Sequence, residues 1–137
     1  MKLNKVNIIA EIGVNHNGDI NLAKEMVYAA KESCADTVKF QTFIPENLAT
    51  VHATKAPYQL SKISNSNKTQ LEMLKKLQIS LEFHKKIIKL CNKLNLEFLS
   101  SPFDIESAYT LKKLKLKRIK IPSGEITNFP YLKKIGS

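Results

Sequence analysis

The chain has 137 residues, 43% of them apolar, enough for one domain with a true core. Its formal net charge is +10, but every cation except Arg118 is a lysine, and the lysines stand beside glutamates along helix faces, as in Lys24-Glu25 and Lys31-Glu32; this argues against a nucleic-acid partner and for attraction of small anions. No run approaches the roughly 18 apolar residues of a membrane span, and no apolar core or cleavage site follows the two lysines of the first seven residues, so the expected location is cytoplasmic, with no membrane partner.

In chain order, Val6 to Ile12 is an apolar run bounded by Asn4 and Gly13, the pattern of a buried strand. Asn15-His16-Asn17-Gly18-Asp19 is dense in turn formers. Asp19 or Asn21 can then cap a helix whose apolar positions Leu22, Met26, Val27, Ala30 and Cys34 recur at the helical period. Thr37 to Phe43, β-branched and aromatic with alternation, predicts a second strand. Pro45 to Lys68 is polar and irregular, and a loop of that length is usually functional or disordered. Helical spacing resumes at Gln70, and Ser80 predicts the cap of a helix carrying Ile87, Ile88, Cys91 and Leu94. Leu96 to Ser100 predicts a third strand, Asp104 caps a helix through Leu111 and Leu114, Arg118 to Pro122 predicts a fourth strand, and Asn128 to Ile135 a short helix. Cys34 and Cys91 fall inside helical patterns, away from metal-ligand spacing, as core thiols of a reducing compartment do.

Strands alternating with helices imply an α/β fold with a parallel sheet and right-handed crossovers. Periodicity leaves a barrel and an open doubly wound sheet both open. The polar residues are more informative. Glu11 ends the first strand; Lys39 and Gln41 share one face of the second, with Val38 and Phe40 on the other; Ser100 and Ser101 end the third; Lys120 lies in the fourth, with Ser123 and Glu125 just beyond. A lysine within a parallel strand is costly to bury without an anion. Polar groups at the C-terminal ends of four successive strands are the layout of an α/β enzyme. Each residue also has a plain structural reading: a strand-end lysine can reach solvent, Glu11 can pair with one lysine, and His16 can be a turn residue.

The segments EIGVNHNG (Glu11 to Gly18), VKFQTF (Val38 to Phe43), SSPFD (Ser100 to Asp104) and KIPSGEITNFPYLKKI (Lys120 to Ile135) resemble, in order and spacing, the N-terminal barrel half of the sialic acid synthase family. KAPYQL (Lys55 to Leu60) and QLEMLKKL (Gln70 to Leu77) look closer to its neuraminic and legionaminic branches than to the pseudaminic one. The resemblance implies a condensation in which C3 of phosphoenolpyruvate attacks the open-chain aldehyde of an N-acylated amino sugar, either N-acetylmannosamine or a 2,4-diacetamido relative. Water adds at C2 and phosphate leaves. By the same resemblance Lys39, Lys120 and Ser123 anchor phosphoenolpyruvate, Ser101 and Phe103 line that region, and Glu11, Gln41 and Glu125 serve the sugar end or the reacting centre, with Glu11, Lys39 and Glu125 as the catalytic set. Asn15 and His16 position the first loop or touch substrate, and Tyr58 with Gln59 reaches over the barrel mouth.

The family fold is a (β/α)8 TIM barrel of about 250 residues, followed by a small antifreeze-protein-like domain. Residues 1–137 are therefore expected to form about four β/α units, the N-terminal half of the barrel, with the rest absent. The divalent metal, Mn or Mg, is implied to be held by histidines of later strands and not by His16, His52 or His84; a sugar-capping arginine is implied to come from the partner subunit of a homodimer. The polypeptide alone is expected to be inactive or marginally folded, and the alternative function is a truncated half-barrel that binds phosphate-type ligands or assembles with a complementary chain.

Overall fold

The computed structural model describes residues 6–51, 53 and 69–136. Three parallel strands, β1 (Ile9–Gly13), β2 (Thr37–Thr42) and β3 (Glu97–Pro102), lie in the order β1-β2-β3. Helix α1 (Ile20–Glu32) joins β1 to β2; α2 (Pro45–Leu48), α3 (Gln70–Leu77) and α4 (Leu81–Lys93) lie between β2 and β3. Helix α5 (Ile105–Lys113), a 3-10 turn (Ser123–Glu125) and α6 (Phe129–Ile135) complete the described chain. The KAPYQL segment, Tyr58, Gln59 and His52 lie outside the described residues.

The helix starts follow local chemistry. Asp19 Oδ1 accepts from the Asn21 amide at 2.7 Å, and Ser80 Oγ accepts from the Phe83 amide at 3.1 Å. Thr69 and Glu72 form a reciprocal capping box on α3. Apolar positions at helical spacing, Ala23, Val27 and Ala30 on α1 and Phe83, Ile87 and Cys91 on α4, pack against Ile12, Val38, Phe40 and Phe98. Alternation in the strands thus places Val38, Phe40 and Phe98 on the helix side. Their neighbours Lys39, Leu99 and Ser101 take the opposite side. Among the described residues the helix core gathers on one side of the sheet, as it does around an arc of a barrel.

Two expectations need correction. Residues 118–122 do not form a fourth strand: one backbone bond, from the Lys120 amide to the Ser100 carbonyl at 3.1 Å, holds them beside β3, and Pro122 has no N–H to extend a ladder. Cys34 is not a core thiol, because α1 ends at Glu32 and Cys34 follows in the left-handed region (φ 59°), exposed. Cys91 is buried as expected, and burial pushes its thiol up to about 12, leaving it inert. Ser100 belongs to the helix side and not to the face that carries Ser101.

Asp104 is the cap with the most to hold. Its carboxylate accepts from the Ser107 amide (2.8 Å), the Ser107 hydroxyl (2.7 Å) and the Ile44 amide (2.9 Å), so it starts α5 and ties the end of β2 to it. Asp104→Ala is expected to cost about 2 kcal/mol, a lost cap plus an orphaned Ile44 amide, measured by urea unfolding. A cost below about 0.5 kcal/mol would mean that these three bonds carry no net stability.

Candidate active site

The middle of β1 and of β2, and not the end of β1 as expected for Glu11, brings two of the expected residues into direct contact. Glu11 and Lys39 are register partners, and their side chains form an ion pair; Lys39 is 13% exposed and Glu11 49%. The register shifts between Glu11 and Gly13, a bulge in which Gly13 takes φ +58°. A Cβ at Gly13 would lie 3.3 Å from Glu11 Oε1 and 3.6 Å from Gln41 Nε2, so the carboxylate and the amide border the same small space. Sequence reasoning passed over Gly13 as a strand boundary. Its position directly after Glu11 and Ile12 was the available signal.

The next row across the sheet joins Gln41 to Ser101 by register. Lys120 stands beside Ser101, because a parallel amide that reaches the carbonyl of residue i−1 lies next to residue i. The Ser101 hydroxyl is buried with no hydrogen-bond partner among the described residues, and the Lys120 ammonium has no ion-pair partner among them. Register and alternation assign Glu11, Lys39, Gln41 and Ser101 to the same face, and Lys120 adjoins Ser101 through its backbone. This set has two cations, an unpaired hydroxyl, an amide and a carboxylate. It can hold an anion and present a base.

The remaining expected residues lie apart. Phe103 and Glu125 share an open groove of about 580 Å³ beyond β3, lined also by Asp104, Asn128 and Tyr131; Glu125 accepts from Asn128 Nδ2 at 2.7 Å. Tyr131 anchors α6 there by donating to the Pro102 carbonyl at 2.6 Å. Ser123 is exposed on the 3-10 turn, and Asn15 is exposed next to Glu11 in a groove against α1.

His16 is fully buried on the helix side, its ring centroid 5.8 Å from Phe40 and 5.2 Å from Phe83. Its Nδ1 accepts from the Gly18 amide at 3.0 Å, which favours loop positioning over substrate contact. His84 is missed by sequence reasoning as a polar centre. Its Nδ1 donates to the Ser80 carbonyl (2.8 Å), so its Nε2 accepts from the Thr42 hydroxyl (2.9 Å), which accepts in turn from Ser100 (2.7 Å). This chain runs directly behind Gln41 and Ser101 and fixes the strand ends that carry them.

Burial is the main cause holding both imidazoles below their ordinary range; at His16 the Gly13 carbonyl opposes it, and at His84 the Ser80 carbonyl does. A histidine whose folded pKa is depressed costs stability as pH falls through the unfolded value, where only the unfolded chain takes the proton. Stability is therefore expected to be level above about pH 7.5 and to decline below about 6.5, by up to ~1.4 kcal/mol per pH unit for each histidine. Urea unfolding from pH 8 to 5.5 measures it. His84→Gln should remove about half of the slope, whereas a flat profile in the parent would contradict the burial of neutral imidazoles.

The divalent metal implied by the resemblance does not fit the described residues. No three His, Cys, Asp or Glu side chains among them converge, and both described histidines serve the helix side. Arg118, the single arginine, is also committed elsewhere: it grips Glu97 through two bonds (2.9 and 2.7 Å) and reaches Thr37 (3.4 Å) and Asn7 (3.2 Å), at the opposite end of the strands. That grip holds the Glu97 carboxyl below its usual range. No helix among the described residues is long and apolar enough to cross a membrane.

The model of the NeuB family matches residues 26–137. The chain belongs to the NeuB family. It is 54% identical to the N,N'-diacetyllegionaminic acid synthase of Campylobacter jejuni over 133 residues, covering 97% of this chain and 40% of that one. It is 55% identical to the enzyme of the same name from Legionella pneumophila over 130 residues, 95% of this chain and 36% of that one. Among solved structures, an N-acetylneuraminic acid synthetase of Leptospira borgpetersenii, in complex with citrate, superposes with a TM-score of 0.78 at 29% identity, over 96% of this chain and 41% of that one. The chain thus spans about two fifths of the length of the relatives it matches. The four strand-end motifs identified the family correctly, and the parallel sheet agrees with the N-terminal half of its barrel.

Proposed function

We propose that this NeuB-family chain serves a phosphoenolpyruvate-dependent condensation that makes a sialic-type nonulosonic acid. The observation that carries the reading is the Glu11–Lys39 pair across the middle of β1 and β2, on the face that also holds Gln41 and Ser101, with Lys120 held beside Ser101 by its backbone amide. Phosphoenolpyruvate bears a phosphate and a carboxylate; Lys39 and Lys120 supply the opposing charge, and the Ser101 hydroxyl a donor. Ser123 adds a second hydroxyl beyond Lys120. Glu11 orients the water that adds at C2 and takes its proton, while the C3 of phosphoenolpyruvate bonds to the sugar aldehyde and phosphate leaves. Gln41 beside Glu11, and Glu125 in the neighbouring groove, receive sugar hydroxyls. The acceptor is a 2,4-diacetamido sugar, a choice supported by two bacterial relatives above half identity that are diacetyllegionaminic acid synthases.

The test is incubation of the full-length protein, not residues 1–137 alone, with phosphoenolpyruvate and either the 2,4-diacetamido sugar or N-acetylmannosamine, following phosphate release and product mass. A nine-carbon or related nonulosonic product, faster with the diacetamido sugar, is the expected result. Binding of phosphoenolpyruvate with no product from either sugar would replace this reading with that of a non-catalytic half-barrel.

A further inference from the structure

Lys39 has two claimants. In the synthase reading, on which this inference rests, its ammonium serves the substrate's anion; in the structure it is held by the protein's own carboxylate at Glu11. We infer that Glu11 is an internal competitor for the anion: on binding, Lys39 passes from the Glu11 carboxylate to the phosphate or carboxylate of the substrate, and only this exchange frees Glu11 to act on water.

Three features make the exchange directional. Lys39 is 13% exposed and Glu11 49%, so the ammonium needs an anion at all times whereas the carboxylate is readily hydrated. It is therefore Glu11 that gives way. The bulge at Gly13 leaves the space into which the carboxylate can turn, since one Glu11 oxygen already borders the point where a Cβ would stand. The Gln41 amide borders that same point and is a donor able to receive the displaced carboxylate. Ser101, in the adjacent row, and Lys120 beside it are further donors from which an incoming anion can accept, an advantage over Glu11.

The exchange makes a prediction of unusual sign: removing a residue assigned to the reaction tightens ligand binding. Titration calorimetry with phosphoenolpyruvate, and separately with inorganic phosphate, would compare the parent, Glu11→Gln, Lys39→Met and the double variant, with Glu11→Ala and melting temperatures as a check on folding. Glu11→Gln is expected to bind about 3–10-fold more tightly while losing turnover, the size of a released partly exposed pair. In the Lys39→Met background the same change should have no effect. Unchanged or weaker binding in Glu11→Gln overturns the exchange, as does equal tightening in both backgrounds, which would reflect removal of bulk negative charge. A parent that binds phosphoenolpyruvate and turns over, without tightening in the variant, keeps the synthase reading and sinks the exchange alone. A parent that binds neither probe sinks both.

Discussion

Lys39→Met is expected to lower kcat/KM for phosphoenolpyruvate by about 10²–10³-fold, the usual loss when one donor to a reacting anion is removed from a sheltered site. Methionine retains most of the stem, so the loss isolates the ammonium. Lys39 lies between Val38 and Phe40, both fully buried on the other side of β2, and that alternation leaves the core untouched by the change. The orphaned partner, Glu11, is half exposed and hydrates, so the melting temperature should hardly move. Lys39→Arg should restore only part of the activity, because the guanidinium fork is wider than the ammonium it replaces. Phosphate release measures the rate, and thermal unfolding of the same samples separates chemistry from folding. Activity within threefold of the parent would remove Lys39 from the site.

The largest structural effect is expected at Gly18. Its φ is +78°, and an added Cβ would stand 2.5 Å from the carbonyl oxygen of Lys76, a backbone atom of α3. Gly18→Ala therefore adds a left-handed strain of about 1 kcal/mol to a clash relieved only by moving the helix, for a total of about 2–4 kcal/mol. The same amide bonds to His16 Nδ1, so the turn cannot yield without loosening the imidazole between Phe40 and Phe83. Gly124 is the control: nothing lies within 4 Å of its added Cβ, and Gly124→Ala should stay within about 0.5 kcal/mol of the parent. Equal costs at the two glycines, read by urea unfolding, would disprove the close approach of α3 to the turn.

What the sequence disclosed was local. The alternation of Val38, Lys39, Phe40 and Gln41 assigned both faces of β2, and Asp19, Ser80 and Asp104 marked helix starts because a cap is a matter of three residues. What it concealed depends on distance along the chain. Thr42 meets His84 across 42 positions and Ser100 across 58, and no period reveals such a pairing. Ser100 and Ser101 look alike as letters, yet one hydroxyl closes a chain behind the sheet and the other is left unpaired on the front. Arg118 to Pro122 has the composition of a strand, but composition does not supply a ladder, and one bond to β3 is what forms. The partner of Glu11 was legible only as some lysine; the register of β1 on β2 selects Lys39.

The grip of Arg118 bears on the order in which the molecule assembles. It joins Glu97 at 21 positions' separation, Thr37 at 81 and Asn7 at 111, so it closes loops of very different length with one side chain. The βα units at either side need only short-range closure and can collapse before it. A contact closed after those units is expected to be absent from the folding transition state, so that Arg118→Met should speed unfolding more than it slows folding in stopped-flow urea kinetics. On that expectation the single arginine acts as a latch on opening, set at the end of the sheet opposite the candidate site, while the speed of collapse is left to the helices and turns.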